Sequence, residues 1–142
     1  MGTALGSIVP LKWRRSFVKA RTALSYDDIA TARPLLEEIA EALPDNVEVR
    51  LYAAWARARL AESMSDRERE QLESLARQAL GARQSLALPL CILAHAAVRR
   101  GELRVARSLF RRAADTDPAL VDARRGFRMV EQRLPRASIL RT

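Results

Sequence analysis

The chain has 142 residues and a formal net charge of +8, long enough for one domain with a buried core. Five glycines, six prolines and a background of Ala, Leu, Arg and Glu favour helix, and no alternating Val/Ile/Thr runs mark strands. The single cysteine excludes an internal disulfide framework, and the longest charge-free stretch, Gln84 to Val98, is too short to span a bilayer.

Residues 1–11 read as an arm with Gly2, Gly6 and Pro10 and little periodicity. Ile8 to Leu11 is too short for a secretory core segment, and Gly6 stands where N-myristoylation wants Ser or Thr. With one cysteine, this predicts a soluble, cytoplasmic protein. Periodicity begins at Lys12, where Trp13, Phe17, Ala20 and Leu24 share one face of a helix ending near Asp27. Asp27 or Asp28 caps a second helix with Ile29, Ala32, Leu36 and Ile39 inward, closing at Pro44. Pro34 removes a backbone donor and predicts a late start or a bend there.

Asp45 and Asn46 cap a third helix from Val47 to about Ala61, with Leu51, Ala54, Ala58 and Ala61 on one face and Tyr52 and Trp55 on another. Ser65 with Glu68 forms a capping box for a fourth helix, whose Leu72, Leu75, Ala76 and Ala79 point inward and whose end is a C′ glycine at Gly81. Pro89 suits the first turn of a fifth helix. That helix is apolar nearly all round, so Leu88, Cys91 and Ile92 are expected to be covered by the arm, a second copy or a partner. After Gly101 a sixth helix places Ala106, Phe110 and Ala113 on one face, and Asp117-Pro118 closes it. Leu120 to Leu134 forms a last helix with Val121, Phe127 and Val130, and residues 135–142 are a basic tail.

Setting Pro118 as position 32 of a repeat puts Leu90 at 4, Leu93 at 7, Ala94 at 8, Ala106 at 20, Phe110 at 24 and Ala113 at 27. This resembles the tetratricopeptide repeat, a 34-residue helix–turn–helix unit; Ala97 departs from the usual aromatic at position 11. The register divides residues 12–134 into repeats 13–46, 47–86 and 87–120 and a cap at 121–134. The second unit is six residues longer, with the excess in the turn between its helices. The resemblance implies an all-α superhelix of three hairpins plus a capping helix. Its concave groove would be lined by the first helix of each hairpin and would bind a segment of another protein.

The family's groove positions fall on Arg14, Phe17, Arg21, Glu48, Leu51, Trp55, Arg59, Leu88, Cys91, His95, Val98 and Arg99, and on Arg125, Met129 and Arg133 of the cap, with Tyr52 beside them. Aromatic and aliphatic side chains mixed with Arg are typical of protein-binding surfaces. Trp55 is expected to be the central exposed anchor, flanked by Arg21, Arg59 and Arg99, for an acidic, partly apolar partner segment. Of the 25 basic residues 23 are Arg, and the pairs Arg14-Arg15, Arg99-Arg100, Arg111-Arg112 and Arg124-Arg125 carry an alternative, binding to nucleic acid or an anionic surface. An assembly or secretion-type chaperone is a third reading.

Catalytic chemistry has little to stand on. Cys91 and His95 share a helix face, but without a third ligand nearby in sequence they make a poor metal site. One histidine supports no Ser/His/Asp set, and five scattered glycines build no phosphate loop. The expectation is a non-enzymatic adaptor with no cofactor and no metal.

Overall fold

The computed structural model describes residues 9–83 and 86–135; most of the predicted arm and of the basic tail lies outside them. Among the described residues seven helices follow one another: α1 Leu11–Ser25, α2 Ile29–Ala42, α3 Val47–Leu60, α4 Asp66–Gly81, α5 Ala87–Arg99, α6 Leu103–Thr116 and α7 Val121–Arg133. Among the described residues there is no strand. Each helix packs on the next, and α1 also touches α3 while α5 touches α7. The result is three antiparallel hairpins and a capping helix stacked as an α–α solenoid, as expected. No helix among the described residues is long and apolar enough to cross a membrane.

Side-chain caps fix three of the seven helix starts. The Asp28 side chain accepts from Thr31 N–H, the Asn46 side chain from Val49 N–H, and Ser65 with Glu68 closes both bonds of the capping box. Two expectations fail. First, α2 does not start late: it begins at Ile29 and continues through Pro34 to Ala42. Pro34 and Ala30 both face solvent, so water can take the carbonyl that proline leaves without a donor. Second, Gly81 ends inside α4, and the left-handed residue beyond it is Arg83 at φ 56°. Gly101 does take the left-handed turn between α5 and α6, at φ 77°.

The core has two lobes meeting at α5. Leu88 and Ile92 project into the lobe formed with α1–α4, while Leu90, Cys91, Ala94 and Ala97 project into the lobe formed with α6 and α7. A helix shared by two lobes must be apolar on both sides, which explains its composition. Leu88, Cys91 and Ile92 are 2%, 0% and 1% exposed within the single chain, so their coverage needs no second copy. Ala32, Ala94, Ala106 and Ala113 are fully buried. Ala54 is only half-buried, because α4 stands off from α3 beyond the long turn and leaves an open cleft of about 720 Å³ floored by Ala53, Ala54, Ala58 and Leu72.

Candidate functional site

The odd-numbered helices form the inner face of the solenoid, and their polar residues gather in two places. At the α1–α3 end, Phe17 meets the Tyr52 ring edge-on at 5.6 Å and the Arg21 guanidinium lies 5.0 Å over Phe17. Glu48, in the first turn of α3, is buried beside them, and neither its Oε2 nor Arg21 Nε has a hydrogen-bond partner. Burial pushes the Glu48 carboxyl above its ordinary value of 4.5, and Arg21 pulls the other way.

A carboxyl raised in the folded state binds more protons folded than unfolded. Its stabilising contribution is present at low pH and lost as pH rises through the folded value. Glu48→Gln is therefore expected to melt above the wild type at neutral pH, with the gap closing below pH 4.5. Equal melting temperatures at neutral pH would mean that the Glu48 charge costs the fold nothing.

The second gathering is an ionic chain across the solenoid. Asp122, in the first turn of α7, accepts from Arg59 Nη1 at 2.7 Å through Oδ1, and through Oδ2 it meets His95 Nε2 at 2.7 Å and the Cys91 thiol at 3.0 Å. Arg59 reaches Asp27 with its other nitrogen at 2.7 Å, and Arg125 reaches the same carboxylate at 2.6 Å. Ser25 Oγ donates to Asp117 at 3.3 Å. The curl is thus tight enough that the α1–α2 turn touches the cap through its side chains. Asp27 holds a left-handed backbone, φ 66°, in making these contacts. Burial disfavours the charged form of Asp122. The hydrogen bond and electrostatic pull of His95, the thiol hydrogen bond and Arg59 together outweigh burial and hold the carboxyl at about 2.

Trp55 lies against this chain, its ring 5.5 Å from the His95 ring and under Arg59, and Phe110 meets His95 edge-on at 5.0 Å. Beside it a cleft of about 300 Å³ opens between α3 and α5, lined by Trp55, Met64, Leu72 and Ile92 and rimmed by Arg59, Arg69 and Arg99. Glu73, 6% exposed, pairs with Arg99 of that rim and with Arg77 and Arg100 outside it.

The structure brings Trp55, Arg59, Cys91, His95 and Arg99 together and groups Phe17, Arg21 and Tyr52 apart from them. Arg14 lies exposed on α1, one turn before Phe17, and Met129 is half-buried in the lobe of α5–α7. Phe17, Trp55, Leu88 and Cys91 are 3%, 7%, 2% and 0% exposed, which corrects their reading as groove surface. In so tight a curl the inner helices pack on one another and consume those side chains. Trp55 lines the cleft with little of its surface exposed.

Cys91 and His95 have no third ligand nearby in sequence, but the fold brings one from α7. Asp122 Oδ2 joins them, with all three donor atoms within 4.8 Å of one another. Asp122 occupies position 2 of the cap in the repeat register, so that signal was present in the sequence. Asp27 had none, since its partner Arg125 lies 98 residues away. The Cys91 thiol is no activated nucleophile: burial, and then the Asp122 charge, push it well above its ordinary value. The imidazole is bound to the same carboxylate oxygen instead of serving the sulfur as a base. Compared with known proteins, the chain matches no family model, no curated protein and no solved structure.

Proposed function

We propose that the chain is a tetratricopeptide-like, non-enzymatic interaction module that holds an acidic, partly apolar segment of another protein in the α3–α5 cleft. The observation carrying this reading is the pairing of an apolar floor, Trp55, Met64, Leu72 and Ile92, with an arginine rim in one recess on the inner face. The lining carries three arginines, Arg59, Arg69 and Arg99, against one carboxylate, Glu62, which favours partner carboxylates at the rim. A buried cysteine held as a thiol suits a reducing, cytoplasmic setting.

Arg59 is committed to Asp27 and Asp122, so the informative variant is Arg99→Glu, whose side chain is 38% exposed. With the acidic peptide mapped from a native pull-down, the variant is expected to slow association roughly tenfold at low salt. The deficit should shrink as ionic strength rises. Unchanged association at low salt would overturn the cleft as the site.

One observation favours a nucleic-acid reading. A second recess of about 500 Å³ between α6 and α7 sets Arg111, Arg124 and Arg128 around Phe127, with all three arginines exposed. Phosphate binding there would fall steeply with salt and would be lost in Arg124→Glu/Arg128→Glu with the α3–α5 cleft intact.

A further inference from the structure

We propose that Cys91, His95 and Asp122 form a zinc site, independent of what the α3–α5 cleft binds. Three donors of three kinds converge from two helices. Cys91 and His95 stand one turn apart on α5, and Asp122 arrives from the first turn of α7. Thiolate, imidazole and carboxylate together are the donor set that zinc accepts, whereas magnesium and calcium take oxygen ligands.

The geometry is close to a bound arrangement. Tetrahedral zinc with its usual bond lengths separates neighbouring ligand atoms by roughly 3.4–3.6 Å. Here sulfur and oxygen lie 3.0 Å apart and nitrogen and oxygen 2.7 Å. Seating the ion therefore spreads sulfur and oxygen by about 0.5 Å and nitrogen and oxygen by about 0.8 Å. Arg59 grips Oδ1 and leaves Oδ2 directed at the other two donors, the kind of outer hydrogen bond that orients a ligating carboxylate. His95 also lines the α3–α5 cleft, so water can complete the fourth position from that side.

Charge balances as well. On loading, the Cys91 S–H proton passes to solvent and the His95 ring carries its remaining proton on Nδ1. Thiolate and carboxylate then neutralise the dication, so Arg59 and its second partner Asp27 face a neutral complex. The buried thiol must be deprotonated, which makes zinc uptake costlier than at an exposed site. A closed, preorganised trio offsets that cost.

The chain holds one cysteine and one histidine, so the spectroscopic readout is unambiguous. The full-length, reduced, metal-stripped protein is titrated with Co²⁺ and then Zn²⁺. A 1:1 thiolate-to-cobalt charge-transfer absorption, displaced by Zn²⁺, is expected, together with a Zn²⁺-dependent rise in melting temperature. Cys91→Ser retains a hydrogen-bond donor to Asp122, and it should abolish the absorption and lower zinc affinity at least tenfold. Should that variant fail to fold, the His95 ring resonances of the wild type decide, shifting with one equivalent of Zn²⁺. No absorption and no melting shift in the wild type would overturn the proposal. So would zinc binding undiminished in a folded Cys91→Ser, or unmoved His95 resonances. In any of those cases the trio is a hydrogen-bonded latch alone.

Discussion

Phe110→Ala is expected to lower stability by about 3–5 kcal/mol, read from denaturant midpoints at unchanged slope. The ring is fully buried in the lobe between α5, α6 and α7 and meets His95 edge-on. It also occupies the space a side chain at position 126 would need, since a Cβ there would run into three atoms of the ring. Gly126 is thus what lets α7 lie down on α6. Gly126→Ala should cost about 1–3 kcal/mol despite alanine's better helix propensity, because a ring wedged on all sides cannot move away. The two changes are coupled: in the double variant the new methyl enters the cavity left by the ring. The double loss should fall short of the sum of the single losses by about 1 kcal/mol or more. Additivity within about 0.5 kcal/mol would show that residues 110 and 126 do not share a contact.

Asp122→Ala should cost about 3–5 kcal/mol, the range for removing one partner of a buried ion pair. The loss extends past one bond, because Cys91 S–H and His95 Nε2 both end on the missing oxygen and Arg59 keeps only Asp27. Asp122→Asn preserves shape and an acceptor while removing the charge, so its cost should lie between wild type and alanine. A loss below about 1 kcal/mol in Asp122→Ala would mean that water re-enters and satisfies all three groups. The chain Arg125–Asp27–Arg59–Asp122 would then join the solenoid's ends without stabilising it.

The helices and their order are legible from short-range signals along the chain. The start positions Val47, Ala87 and Val121 follow from caps, prolines and the period of apolar residues, and these act within one or two turns of the chain. The small–aromatic–small face of α6, Ala106, Phe110 and Ala113, is legible for the same reason. Periodicity reports only that a face is apolar, so it placed Trp55, Phe17, Leu88 and Cys91 on the inner side without deciding whether partner or protein covers them. How far the solenoid curls decided that. Curl depends on residues whose meaning appears only in three dimensions: Gly126 admitting the Phe110 ring, the long α3–α4 turn holding α4 off, and Asp27 meeting Arg125 across 98 residues. The repeat register marks Asp122 as a groove position of the cap, but not as the third donor beside Cys91 and His95. No local rule brings Asp122 to them; the docking of α7 against α5 and α6 does, because burying Phe110, Ala123 and Val130 fixes where its first turn must lie.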